Sequence, residues 1–149
     1  MYVAYIDDTK QDGKRKGIGH LVAYGAVVFP EDEIRQFSLD FWGIYDKLDI
    51  PHDAEMKWSV RHEWFKDPSN VHSRHDLYEQ VLQSAKVHHA EASVVVWDES
   101  AVPDHHGNTA EVTTVEWFVE RTVLSASTRD ETTPKNVFIA FDEVSGQQR

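Results

Sequence analysis

Hydrophobic and polar positions along the chain fall into two periodicities. Met1 to Asp8 carries β-formers at Tyr2, Val3, Tyr5 and Ile6 and reads as a strand. Thr9 to Lys16 is a polar turn containing Asp12-Gly13, and a second strand is expected from about Gly17 to Phe29. The run from His20 to Phe29 is small and apolar at both parities, the pattern of a strand covered on both faces. The short polar link predicts an antiparallel hairpin.

Pro30, followed by Glu31, Asp32 and Glu33, marks a helix start, because proline tolerates the first turn and acids there favour the helix dipole. Ile34, Phe37, Phe41, Ile44, Tyr45 and Leu48 then recur at helical spacing. Gly43 interrupts the pattern and leaves an extended segment from Arg35 to Phe41 as the alternative. Residues 49–71 read as irregular, with Pro51 and Asp67-Pro68-Ser69-Asn70 as breakers.

Ser73 and Asp76 resemble a capping box for a helix whose apolar face is Leu77, Val81, Leu82 and Ala85. Glu91 to Asp98 is a strand centred on Val94-Val95-Val96-Trp97, and Pro103 to Gly107 a loop. Asn108 with Glu111 predicts the cap of a further helix carrying Val112, Val115, Phe118, Val119 and Val123. Asn136 to Phe141 forms the last strand. Helices alternating with strands in the second half imply crossovers and parallel pairing. The expected fold class is α/β: a mixed sheet with an N-terminal antiparallel hairpin plus parallel strands, flanked by helices.

Composition narrows the setting. The 149 residues fit a single domain over 1–149. Cysteine is absent, which removes disulfides, thiol nucleophiles and thiolate-ligated zinc and suits a reducing, cytoplasmic setting. The sequence opens directly in a strand-like run, with no leader expected, and no apolar stretch reaches the ~20 residues of a membrane span. A formal net charge of −11 opposes broad phosphate binding, unless carboxylates cluster in a site that metal ions neutralise.

Three strands end in acid: Asp7-Asp8, Asp98-Glu99 and Asp142-Glu143. If these strands run parallel, their carboxylates share one sheet edge, where ligands of open α/β sheets gather. Such oxygen donors suit Mg²⁺ or Mn²⁺; solvated strand ends would carry the same residues. Glu55, Lys57 and Trp58 share an irregular segment in which Lys57 could meet a scissile phosphate, or simply pair with Glu55 around an anchoring tryptophan. The nine histidines include the pairs His72/His75, His88/His89 and His105/His106, none in a zinc signature. His62 or His20 could act as an acid/base or simply pack. Lys10, Lys14, Arg15 and Lys16 form a basic patch next to Asp7, able to guide a phosphate backbone or to serve only as a solvated tip.

Four motifs in order carry a family resemblance: Tyr5-Ile6-Asp7-Asp8-Thr9, Tyr24-Gly25-Ala26-Val27-Val28-Phe29-Pro30, Glu55-Met56-Lys57-Trp58-Ser59 and Phe141-Asp142-Glu143. Together they resemble a bacterial and phage family known as domain of unknown function 3800, regarded as RNase H-like. The resemblance implies an RNase H-like domain and a metal-dependent nuclease acting on nucleic acid. It makes Asp7, Glu55 and Asp142 the ligands of Mg²⁺ or Mn²⁺, with Lys57 as a catalytic neighbour. Asp98 joins the metal set from the strand-end argument alone.

Two departures stand out. Asp8-Thr9-Lys10 replaces the family's Glu-Ser-Gly, and a later helix with a Leu-Gln-x-Ala-Asp element is not found, so the domain is expected to lack its C-terminal helix. The contrasting expectation is a non-catalytic RNase H-like module that binds a partner protein in a phage or defence context. Apolar surface left by the missing helix would also favour a homo-oligomer.

Overall fold

A computed structural model describes residues 1–12, 19–56, 61–98, 100, 109–127 and 136–141. The chain divides into two compact units, one made of Met1–Glu31 with Glu91–Arg149 and the other of Asp32–Ala90. Among the described residues, no helix is long and apolar enough to cross a membrane.

The first unit is built on a four-stranded mixed sheet of order β3-β2-β1-β4. Its strands are β1 (Tyr2–Asp12), β2 (His20–Pro30), β3 (Glu91–Asp98) and β4 (Val137–Phe141), with helix α4 (Ala110–Ser127) between β3 and β4. β1 and β2 form the expected antiparallel hairpin, in register from Tyr2↔Pro30 to Asp12↔His20. The strand therefore outruns its predicted end at Asp8, because Thr9 to Asp12 still find partners across the ladder. Parallel pairing occurs between β4 and β1, while β3 lies antiparallel on the outer side of β2. Two antiparallel steps and one parallel step leave β1, β3 and β4 running in one direction, as the strand-end argument requires.

Alternation assigns the faces. Ala4, Ile6, Ala26 and Val28 point to one side and pack with the fully buried Phe118 of α4. Tyr24 lies 6.1 Å from the Phe118 ring, and Trp97 meets Trp117 edge-on at 5.1 Å.

Of the apolar positions that helical spacing assigns to α4, Phe118 is fully buried and Val115 and Val119 are half-buried. Val112 is 45% exposed and Val123 is exposed, whereas Thr113, Thr114, Phe118 and Thr122 are buried. Threonine is tolerated there because its hydroxyl can return to the helix: Thr122 Oγ1 donates to the Phe118 carbonyl at 2.9 Å. The cap is also displaced by one residue, since Thr109 Oγ1 accepts from the Val112 amide and the Thr109 carbonyl from the Thr113 amide.

The second unit holds α1 (Glu31–Lys47), a short α2 (Glu63–Lys66), a 3-10 turn (Pro68–Asn70) and α3 (Val71–Val87). Residues 31–47 are helical throughout, so the extended alternative for Arg35 to Phe41 does not hold. A Cβ on Gly43 would meet nothing within 4 Å, and the roughly 1 kcal/mol that glycine costs a helix is offset by apolar burial along one face. Phe37, Phe41 and Tyr45 recur every fourth residue on that face, and their rings contact in sequence.

The core of this unit is Tyr45, Ile50, Ala54, Phe65, Leu77 and Val81. Leu82, expected on the apolar face of α3, is instead 70% exposed. α3 starts at Val71 rather than at the predicted Ser73 box. His62 caps α2, its Nδ1 accepting from the Trp64 amide, and Asp67 caps the 3-10 turn through the Ser69 amide.

The two readings of α4 make different predictions. Phe118→Ala should cost about 3–5 kcal/mol and Val112→Ala no more than about 0.5 kcal/mol, measured by urea unfolding. Comparable losses at both positions would contradict the burial described here.

Candidate functional site

Asp7 is the best-defined of the candidate carboxylates. It lies on β1, opposite Gly25, and alternation puts it on the sheet face away from Phe118. Its neighbours on that face are Tyr5 along β1, Val27 and Gly25 on β2, Val94 beyond Gly25 on β3, and Ala140 opposite Tyr5 on β4. Together they line an open trough of about 650 Å³. Small residues make its floor: the Cβ missing from Gly25 would reach only Val94 Cγ2, at 4.0 Å. Asp7 itself is exposed. Phe141 pairs with Ile6, so the last described residue of β4 stands one step short of Asp7. Asp142, the next residue, lies outside the described residues, as do Lys57 and the patch residues Lys14, Arg15 and Lys16.

The structure does not bring Asp98 to Asp7. Asp98 pairs with Leu21 and Asp7 with Gly25, four positions apart on the intervening strand. That is about 13 Å along the strands and about 10 Å across them, too far for a shared ion. The separation arises because β1 continues well past Asp7, so only Asp98 stands at a strand end. Its carboxylate is already engaged: Oδ1 accepts from the Gly19 amide at 3.2 Å, the Ser100 amide at 2.9 Å and the Ser100 hydroxyl at 2.7 Å. This ties the start of β2 to the end of β3.

Glu55 belongs to the second unit. The fully buried Ala54 anchors it, with the Tyr45 hydroxyl donating to the Ala54 carbonyl at 3.0 Å, and Glu55 emerges exposed at the next position. Burial pushes the Tyr45 phenol up, and the charges of Tyr78 and Glu55 add to that.

No protein-family model, curated protein or solved structure matches this chain. The site is therefore read from its own geometry. Among the described residues, no group of three or more histidine, aspartate or glutamate side chains is arranged to hold a metal ion.

Of the histidines, His62 caps α2, while His72, His75 and His89 are exposed. His88 is the exception. It is 5% exposed, with Nδ1 2.7 Å from Glu33 Oε2 and Nε2 2.8 Å from Asp40 Oδ2. The two carboxylates approach opposite ring nitrogens and so do not converge on one point. The only sequence signal for this bridge was the seven-residue spacing of Glu33 and Asp40, two turns apart on one face of a helix.

Asp98→Ala should lower stability by roughly 1–2 kcal/mol, through loss of acceptors for the Gly19 and Ser100 donors. Mn²⁺ binding should be unchanged in that variant. Calorimetry alongside denaturant unfolding would separate the two effects.

Proposed function

We propose that the chain is a divalent-metal-dependent phosphodiester hydrolase on an RNase H-like sheet, with Asp7 as the anchoring carboxylate. One observation carries this reading. Asp7 projects from β1 onto an open sheet face, one residue past the Ile6↔Phe141 pair that ends the described ladder to β4. The strand order, with three antiparallel strands and a parallel fourth reached through a helix, also fits the fold that the sequence resemblance implies.

Asp7 is a hard oxygen donor beside a trough wide enough for hydrated groups, which suits Mg²⁺ or Mn²⁺. Magnesium commonly takes only one or two protein carboxylates and fills its other positions with water and substrate phosphate. Asp142 is the second ligand in this proposal. A bound ion would activate water and stabilise the leaving oxygen of an in-line displacement. Asp7 contributes position and charge: its backbone is held in the β1–β2 ladder opposite Gly25, one residue past the last β1–β4 pair, so the carboxylate needs little ordering when the ion arrives. The trough floor of Gly25 and Ala140 lets a sugar-phosphate backbone approach the sheet closely.

A second reading, a non-catalytic module that binds a partner protein, draws on the same face. Tyr5, Val27, Val94, Val96 and Phe138 are all exposed there, an apolar surface more usual in an interface than in free solution.

Mn²⁺ titration by calorimetry distinguishes the two. The hydrolase reading predicts stoichiometric binding by the wild type, weakened at least tenfold in Asp7→Asn and in Asp142→Asn, with circular dichroism unchanged. Absence of Mn²⁺ binding by the folded wild type would overturn the hydrolase reading and leave the partner module.

A further inference from the structure

We propose that Glu33, His88 and Asp40 form a pH-sensitive latch that holds the C-terminal end of α3 against α1. His88 is the C-cap residue of α3, its amide donating to the Ser84 carbonyl at 3.0 Å. Glu33 and Asp40 both come from α1, and Phe37, between them in sequence, meets the imidazole edge-on at 6.1 Å. One ring thus ties two successive turns of α1 to the end of another helix.

A neutral imidazole has one N–H, so it can satisfy only one of these carboxylates. With both carboxylates ionised, short contacts at both nitrogens require the imidazolium, with each N–H donating to an anion. The surroundings favour that form. Hydrogen bonds to Asp40 and then Glu33 raise the His88 pKa above its ordinary value, against the opposing effect of burial. The carbonyl end of α3 favours a cation in the same place. Asp40 is held below the usual carboxylate range, first by His88 and then by the Gln36 amide at 3.1 Å. Among the described residues, Glu33 and Asp40 are the charged groups acting on the ring, and Lys86 in the last turn of α3 is exposed.

The direction of the switch follows from these shifts. A histidine whose folded pKa is raised contributes stability that is fully present below its unfolded value and disappears as pH rises through the folded value. The depressed Asp40 contributes stability above its unfolded value, lost as pH falls through the folded one. The latch is therefore closed from mildly acidic pH up to the raised folded pKa of His88 and opens above it. On opening, one carboxylate faces a ring lone pair and repels it.

The consequence is local and specific. Asp40 from α1, with Ser84 and Val87 from α3, walls a groove of about 480 Å³ that also contains Leu39 and Gly43. The Ser84 hydroxyl is buried there without a hydrogen-bond partner. Loosening the end of α3 would widen this groove.

Imidazole ¹⁵N NMR on the full chain tests the latch directly. His88 should remain protonated on both nitrogens at pH values above the ordinary pKa of a free imidazole. Amide exchange at His88, His89 and Ala90, corrected for intrinsic base catalysis, should accelerate roughly tenfold as pH passes through that titration. Asp40→Asn and Glu33→Gln should each bring the His88 titration down. His88→Gln should abolish the pH dependence of exchange. Titration of His88 at or below the ordinary pKa of a free imidazole, or protection indifferent to its protonation, would overturn the proposal. The wild-type measurement decides the matter even if a variant fails to fold.

Discussion

Everything about the proposed metal site depends on the double pairing of β1. The strand is bonded to β2 along its whole length and to β4 over its first half. Its side chains alternate strictly, so Ala4 and Ile6 are committed to the Phe118 side and Tyr5 and Asp7 to the other. A slip of one residue would exchange these sets, burying Asp7 against an aromatic core and exposing Ile6. Burial of Ala4 and Ile6 thereby fixes which way Asp7 points. The hydrophobic core and the candidate chemistry are one constraint seen from two faces of the same strand.

The second unit is an excursion between two paired strands. The chain leaves the sheet at Pro30 and rejoins it with Glu91 opposite Val28. A long excursion costs little extra loop entropy, since that cost grows only logarithmically with length, and this one has a core of its own around Tyr45 and Leu77. Polar contacts supplement that core. The Tyr45 hydroxyl organises the segment that presents Glu55, and His88 at the end of α3 meets Glu33 and Asp40 of α1. The first contact is local, nine residues along the chain, while the second joins partners 55 and 48 positions apart and restricts how α1 and α3 can pack.

The open sheet face combines features that pull toward different partners. Asp7 attracts cations, and on a protein with a net charge of −11 an ion would also offset the repulsion that phosphate meets at long range. Tyr5, Val27, Val94, Val96 and Phe138 would gain by being covered. A carboxylate in an apolar surround is a stronger ligand than one in a polar field, because competing water is fewer. The two tendencies are compatible in a site where a metal ion sits at Asp7 and apolar groups of a partner or substrate rest beside it.

The sequence alone determined what is local. Alternating and continuous apolar runs located all four strands, and helical spacing located the three long helices, because both periodicities are properties of a single segment. It also singled out Asp7 and Glu55 as candidates, through short motifs. Only the tertiary structure decided which elements meet. Threonine and valine are similar enough in size that α4 could have been read with either face inward; packing on β2 and β3 buried the threonines. Asp98 looked equivalent to Asp7 as a strand-end acid, but the ladder extends β1 five residues past Asp7 and separates them. His88 and its carboxylates are 55 and 48 positions apart. No pattern along the chain could pair them, because the pairing energy exists only once α1 and α3 have docked.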